Sequence, residues 1–210
     1  MNESLIEARR VLDIEAQSIL EVKEKLGESF VGAVDVIVTC KGKVIIAGMG
    51  KSGHIARKIS STMSSTGTPA LFLHPAESSH GDLDLIGVED VVIIISNGGN
   101  SPELKDLVSH VTRKNIPLIA FTGNKESLLA QSATVVIDIL ISEEACPLKL
   151  APTSSSTATL AMGDALAMAV LRKKGFRKED FAEFHPGGSL GRRLLTRVKD
   201  VMHGEESLPL

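Results

Sequence analysis

The fold of this chain is decided by the stretch Lys43-Val44-Ile45-Ile46-Ala47-Gly48-Met49-Gly50-Lys51-Ser52-Gly53. Here an aliphatic strand pattern is followed at once by glycines and then by a helical pattern. The succession recurs in Val91-Val92-Ile93-Ile94-Ile95-Ser96-Asn97-Gly98-Gly99-Asn100-Ser101. Strands that turn sharply into helix N-termini leave free backbone N–H groups at the sheet's carboxyl edge, where an anion is stabilised. Two such loops side by side predict a phosphorylated small molecule as ligand.

The rest of the chain alternates strand and helix patterns around these loops. Predicted strands cover 43–48, 70–74, 90–95, 117–122 and 134–140, and predicted helices cover 4–26, 29–40, 53–65, 102–114, 125–132 and 154–174. Alternating units of this size predict an α/β fold with parallel strands, right-handed crossovers and helices on both faces of the sheet. The helix over 154–174 is almost wholly apolar, so we expect it to be buried. Ligands of such folds bind at the carboxyl ends of the strands.

The first helix carries an apolar stripe at seven-residue spacing, formed by Leu5, Leu12, Ile19 and Leu26. A stripe of this kind needs a surface to pack against. That surface belongs either to the same chain or to a second subunit, and the sequence leaves both alternatives open.

Composition excludes several classes of protein. A net charge of −3 with no Trp or Tyr and six Phe argues against a nucleic-acid surface, which needs a basic footprint and stacking aromatic residues. Cys40 and Cys146 have no metal-ligand spacing, so we expect free thiols in a reducing compartment. The N-terminus lacks a secretory pattern and no apolar run approaches a membrane span, which predicts a cytoplasmic protein without membrane contact.

The loop after the first strand has three interpretations. A Walker A loop requires glycine at position 45, where Ile45 lies within the strand, so an NTPase is disfavoured. Residues 48–53 satisfy the dinucleotide pattern G-x-G-x-x-G, but the second strand ends at His74 instead of at a ribose-binding acid, and the second loop stays unexplained. The third interpretation is a sugar-phosphate pocket lined by backbone amides and the neutral hydroxyls of Ser52, Ser96 and Ser101.

Seven short motifs spread over nearly the whole chain resemble the sugar isomerase (SIS) domain, and specifically the bacterial D-arabinose-5-phosphate isomerase group. They are Gly48-Met49-Gly50-Lys51-Ser52-Gly53-His54, Ser65-Thr66-Gly67-Thr68-Pro69, His80-Gly81-Asp82-Leu83, Glu144-Ala145-Cys146-Pro147-Leu148, Leu150-Ala151-Pro152-Thr153-Ser154, Met162-Gly163-Asp164-Ala165 and His185-Pro186-Gly187-Gly188. The resemblance implies a five-stranded parallel flavodoxin-like sheet with extra N- and C-terminal helices, a homotetramer, and interconversion of D-ribulose 5-phosphate and D-arabinose 5-phosphate without a cofactor. It further implies a place in the synthesis of Kdo, the acidic sugar of lipopolysaccharide or capsule.

The resemblance also divides the chain. Residues 1–41 would be N-terminal helices, 42–176 the SIS domain and 177–200 a C-terminal active-site segment, while 201–210 resembles the start of a CBS module that continues in many relatives. The chain departs from the family in its second loop, commonly Ser-Asn-Ser-Gly-Glu-Ser. Gly98 and Asn100 replace the middle serine and the glutamate, which puts phosphate affinity in question.

Aldose–ketose isomerisation requires a base that moves a proton between C1 and C2 and a group that stabilises the enediolate. Lys51, in a glycine loop at the carboxyl end of a strand, is the natural charge stabiliser and matches the family's catalytic lysine. The resemblance adds Glu103 and Glu144 as acid/base candidates and His185 as a catalytic histidine from a neighbouring subunit. The sequence does not decide which of these is the carbon base. The pKa of such a base should lie near working pH, which burial can arrange for a glutamate.

The predicted substrate-binding residues are Gly50, Ser52, Gly67, Thr68, His74, His80, Ser96, Asn97 and Ser101. In relatives an inhibitory divalent metal can occupy the region of His74, so zinc there is expected as an inhibitor only. A second hypothesis is a non-catalytic SIS module that senses a sugar phosphate. Retention of Lys51, Glu103, Glu144 and His185 favours the enzyme.

Overall fold

Five parallel strands form one sheet in the computed structural model, which describes residues 2–78 and 81–184. The strands are β1 (Val44–Gly48), β2 (Ala70–Leu73), β3 (Val91–Ile95), β4 (Leu118–Thr122) and β5 (Val135–Asp138), in the spatial order β2-β1-β3-β4-β5. Val44 is level with both Ala70 of β2 and Val91 of β3. This is the flavodoxin-like order, and its strand order reverses between β1 and β3. The expected fold class is confirmed.

Helices cover both faces of the sheet. They are α1 (Glu3–Glu24), α2 (Glu28–Val38), α3 (Gly50–Ser65), α4 (Pro75–Ser78), α5 (Lys105–Arg113), α6 (Leu128–Ser132), α7 (Ser154–Lys173) and α8 (Lys178–Phe184), with 3₁₀ turns at Asp82–Leu85 and Pro102–Leu104. The sequence pattern missed α4, α8 and the first 3₁₀ turn, because elements this short contain too few helical periods to show one. No helix in the described part of the chain is long and apolar enough to cross a bilayer.

The sheet separates two apolar cores. Alternate residues of β1, such as Ile46, face the core shared with α2, α3 and α7, whereas Ile45 faces the core shared with α5 and α6. All five residues of β1, of β3 and of β4 are buried. Burial of each aliphatic side chain contributes roughly 1.5–3 kcal/mol, so the central strands anchor the loops that follow them.

Strand β1 passes into α3 with little space between the two backbones. A Cβ atom on Gly53 would lie 2.7 Å from the carbonyl oxygen of Gly48, which explains the glycines on both sides of the turn. The N-cap residue, Met49, makes no side-chain hydrogen bond to the first turn of α3. The N-terminal turn of this helix therefore presents its backbone amides at the sheet's carboxyl edge.

Helix α1 packs along α7 of the same chain, with Val22 as its most deeply buried apolar residue. The predicted stripe lies off this contact: Leu5 is 54% exposed and Leu12 is 65% exposed. A subunit interface for the stripe therefore stays a prediction. The expectation of a buried α7 is only partly met, because Met168 and its neighbours on one side of the helix face solvent.

Candidate active site

Two pockets adjoin at the carboxyl ends of β1 and β3, where the strand order reverses. The first, which we call the serine pocket, has a volume of about 200 Å³ and is lined by residues that include Ser52, Ser96, Asn97 and Ser101. The second, the carboxylate pocket, has a volume of about 230 Å³ and is lined by residues that include Lys51, Glu144, Ser155 and Ser156. Met49, Ser52 and Asn97 line both pockets. One elongated ligand can therefore span them.

The serine pocket offers neutral hydrogen-bond donors. None of its described lining residues is ionisable. Ser96 accepts a hydrogen bond from the backbone N–H of Gly99 at 3.1 Å, so its own hydroxyl hydrogen is left to donate into the pocket. Together with the backbone amides at the start of α3, such donors suit a phosphate group.

The loop of the serine pocket is hydrogen-bonded to the start of α6. Gly99 has a φ of +68°, and a Cβ atom there would lie 2.2 Å from the hydroxyl of Ser127. Asn100 accepts a hydrogen bond from the backbone N–H of Leu128 at 2.9 Å, and Leu129 donates to the carbonyl of Gly99 at 3.2 Å. Asn100, a departure from the family pattern, thus holds the loop to the first residue of α6.

Glu144 occupies the carboxylate pocket at the N-terminus of α7. Its carboxylate accepts hydrogen bonds from the backbone N–H and hydroxyl of Thr153, at 2.7 and 3.1 Å, and from the backbone N–H of Ser155 at 3.3 Å. The Ser155 hydroxyl makes a further short bond to the other carboxylate oxygen. These are the donors that a helix N-terminus leaves unsatisfied, and a negative charge is stabilised there.

This arrangement keeps Glu144 ionised. Burial by itself raises the pKa of Glu144, but the hydrogen bonds from Ser155 and Thr153 together outweigh burial and hold that pKa below its ordinary value. A raised pKa was the property expected of the carbon base. The structure thus gives Glu144 the character of a fixed anion.

Other predicted residues lie at the same edge of the sheet. Lys51 and Gly50 form the start of α3, and the Lys51 side chain is exposed beside the carboxylate pocket. Glu103 is exposed in the turn that follows Ser101. His74 follows the end of β2; its Nδ1 atom is buried, and no described residue hydrogen-bonds it. No three His, Cys, Asp or Glu side chains group as a metal site within the described ranges, so the inhibitory zinc stays a prediction.

Gly67 and Thr68 lie at the opposite end of the sheet from both pockets. They precede β2, and the backbone N–H of Val44, the first residue of β1, donates to the carbonyl of Pro69 at 2.8 Å, so this segment is level with the amino ends of the strands. The Thr68 hydroxyl accepts from Lys174 at 3.0 Å instead of facing a ligand. The structure does not bring them to either pocket of this chain, because parallel strands place the segment before a strand away from the carboxyl edge. Their role as substrate-binding residues stays a prediction.

His80 and His185 lie outside the described residues, as do 185–200 of the predicted active-site segment and the CBS-like 201–210. Sequence reasoning missed Ser155, Ser156 and Thr159, which line the carboxylate pocket. The hydroxyl run at the start of α7 was the available signal. Hydroxyl residues at the start of a helix are also typical of N-capping, but the N-cap residue here makes no side-chain capping bond.

The SIS domain family model matches residues 37–169. A curated relative from Pseudomonas aeruginosa named arabinose 5-phosphate isomerase KdsD is 50% identical over 202 residues, which cover 96% of this chain and 62% of the relative. Arabinose 5-phosphate isomerase GutQ of Escherichia coli K12 is 49% identical over 210 residues, which cover 100% of this chain and 65% of that protein. The chain thus spans less than two thirds of the length of these curated relatives.

A solved structure extends the comparison to three dimensions. The protein c3406 of E. coli CFT073, solved in complex with arabinose 5-phosphate, matches with a TM-score of 0.84 and 39% identity. The match covers 89% of this chain and 100% of that chain. The likeness therefore includes the fold.

Proposed function

The chain belongs to the SIS domain family, and on this premise we propose that it interconverts D-ribulose 5-phosphate and D-arabinose 5-phosphate. Curated relatives of about 50% identity carry the name of this activity, and the c3406 structure holds arabinose 5-phosphate. The observation that carries the proposal is the pair of joined pockets, one with neutral donors and the other with a lysine and a carboxylate.

Each pocket is proposed to bind one end of the substrate. We place the phosphate in the serine pocket, where Ser52, Ser96 and Ser101 and the start of α3 supply donors without a counter-charge. The carbonyl end then extends past Asn97 into the carboxylate pocket. A reversed placement would set a phosphate dianion beside the ionised Glu144, which like-charge repulsion disfavours.

A base removes a proton from C1 of the ketose to give an enediolate, a proton moves from O1 to O2, and protonation at C2 gives the aldose. Lys51 stabilises the negative charge that develops on the enediolate oxygens. Glu144 accepts hydrogen bonds from the sugar hydroxyls and fixes their orientation. Glu103 or His185 transfers the proton at carbon, and His185 comes from a neighbouring subunit of a homotetramer. Gly50, His74 and His80 complete the proposed substrate-binding set.

The remaining parts of the proposal follow from the family resemblance. The reaction needs no redox cofactor, because the two electrons move within the substrate. We place the enzyme in the cytoplasm, upstream of Kdo synthesis for lipopolysaccharide or capsule. Residues 1–41 form the helical extension, 42–176 the SIS domain and 177–200 the active-site segment, and 201–210 resembles the start of a CBS module.

One experiment tests the activity. The purified chain is incubated with ribulose 5-phosphate in deuterium oxide, and NMR follows the appearance of arabinose 5-phosphate and of deuterium at C2 of the aldose or C1 of the recovered ketose. We expect both the aldose and the label. If neither appears while ribulose 5-phosphate still protects the chain from thermal unfolding, the non-catalytic sensing module is the correct alternative.

A further inference from the structure

Glu144 lies in a long connection. The connection between β5 and α7, residues 139–153, is fifteen residues long and contains neither helix nor strand. A loop of this length cannot satisfy its backbone polar groups with a regular ladder, so side-chain hydrogen bonds have to fix its path. The groups that supply these bonds therefore determine where the Glu144 carboxylate lies.

Helix α1 supplies bonds on both sides of Glu144. The carboxylate of Glu21 accepts hydrogen bonds from the backbone N–H and the hydroxyl of Ser142, at 2.8 and 2.6 Å. The guanidinium of Arg10 donates to the carbonyl of Ala145 at 2.5 Å. The chain just before Glu144 and the residue directly after it are thus held from a single helix.

The other side of the loop is held by α7. The backbone N–H of Ala145 donates to the hydroxyl of Ser154 at 3.0 Å, so the buried Ala145 is bonded to α7 through its N–H and to α1 through its carbonyl. Glu15 of α1 also accepts from the hydroxyl of Thr157 at 3.0 Å, which ties the two helices together. Glu7 fixes the Arg10 side chain by two bonds, at 2.9 and 2.7 Å.

We propose that Arg10 and Glu21 are positioning residues of the active site, which hold the Glu144 carboxylate in place through Ala145 and Ser142. The inference deepens the proposed isomerase function and rests on it. Both residues precede residue 37, where the match to the family domain begins, so the site depends on a helix outside that domain. A misplacement of about 1 Å that a distant substitution causes in the active site can cost as much as 10²-fold in rate.

Hydrogen exchange tests the structural half of the proposal without any turnover. Glu21→Ala is compared with Glu24→Ala, which removes the same type of side chain from the next turn of α1. Glu24 is exposed, and among the partners described it pairs only with Lys23. We expect faster amide exchange at Ser142 and Ala145 in Glu21→Ala and unchanged exchange in Glu24→Ala. Equal exchange in the two variants overturns the proposal even if the wild-type chain proves to have no isomerase activity.

Steady-state kinetics test the functional half. With ribulose 5-phosphate as substrate, Glu21→Ala should lower kcat about 10-fold and leave KM within about twofold, because the phosphate pocket is untouched. Glu24→Ala should match the wild type, and Glu21→Gln should recover most of the loss, since its amide oxygen still accepts from Ser142. A wild-type kcat in a folded Glu21→Ala variant, or an equal loss in Glu24→Ala, overturns the positioning role. An inactive wild type contradicts the proposed function instead.

Discussion

Substitution of Glu144 by glutamine should measure how strongly this one carboxylate stabilises the start of α7. The amide oxygen of the variant can still accept from the backbone N–H of Thr153, 2.7 Å away in the wild type. That oxygen also keeps the bond from the backbone N–H of Ser155, because both N–H groups donate to Oε2 in the wild type. The amide nitrogen then takes the place of Oε1 and faces the Ser155 hydroxyl, which donates to Oε1 in the wild type and has to turn into an acceptor. The variant also removes the negative charge from the helix N-terminus.

The structure allows the cost to be worked out in free energy of unfolding. Hydrogen bonds to a charged group contribute roughly 1.5–3 kcal/mol and neutral ones roughly 0.5–1.5 kcal/mol. A charge at a helix N-terminus adds about 0.3–1 kcal/mol. We therefore expect Glu144→Gln to cost about 2 kcal/mol, which lowers the Tm of a chain of this size by roughly 4–8 °C.

The assay is thermal unfolding followed by circular dichroism at pH 7, with Glu143→Gln as the matched control. Glu143 is the adjacent residue, is exposed, and has an ion pair to Lys149 of 4.0 Å, so its substitution should change the Tm by less than about 2 °C. Equal Tm values for the two variants would refute the reasoning that the carboxylate caps α7.

The pH dependence gives an independent check. Because the folded-state pKa of Glu144 lies below its ordinary value of 4.5, its contribution is fully present above that value and is lost as pH falls through the folded-state pKa. The stability difference between wild type and Glu144→Gln should be constant above the ordinary pKa and shrink in more acidic solution. A difference that grows on acidification would show that the pKa is raised instead.

Three further substitutions test the two pockets. Lys51→Ala should retain its Tm, since the side chain is exposed, and lose at least about 10²-fold in kcat, because the enediolate charge is no longer stabilised; unchanged turnover would remove Lys51 from the mechanism. Gly99→Ala should lower the free energy of unfolding by about 2–4 kcal/mol in urea titrations, since φ is +68° and the new Cβ meets a serine hydroxyl. Gly98→Ala is its control, with nothing within 4 Å of the added carbon, and an equal loss there would contradict the steric argument. Asn100→Ala should raise KM about fivefold with kcat little changed, because loss of the bond to Leu128 costs about 1 kcal/mol of loop order; an unaltered KM would show that the loop does not need this bond.

The order and type of the main elements could be predicted from local patterns. The aliphatic run at 43–48 and its glycine turn became β1 and the start of α3, with bounds one to three residues from the prediction. Strand periodicity and glycine turns are properties of neighbouring residues, so no distant contact was needed to detect them. The prediction that a ligand binds at the carboxyl edge of the sheet followed from the parallel strands alone.

The site itself could be predicted only in part. Lys51, Ser52 and Ser96 lie within four residues of the carboxyl end of a strand, so their position follows from the strand order, and the structure brings them to one edge. Thr68 lies at the other edge, because a motif shared with a family does not say which end of the sheet it occupies. The replacement at Asn100 put phosphate affinity in question, because its hydrogen bond to Leu128, 28 residues further along the chain, is invisible in sequence.

The amino-acid sequence by itself determined the parallel α/β fold, the two glycine loops at the carboxyl edge and the chemical types gathered near them, because each depends on residues close together along the chain. Tertiary structure alone decided the state of Glu144, whose pKa depends on donors from the start of α7, and its support by α1. The bond between Glu21 and Ser142 joins residues 121 positions apart. Such a contact exists only once β5 and α7 have brought the loop against the N-terminal helix.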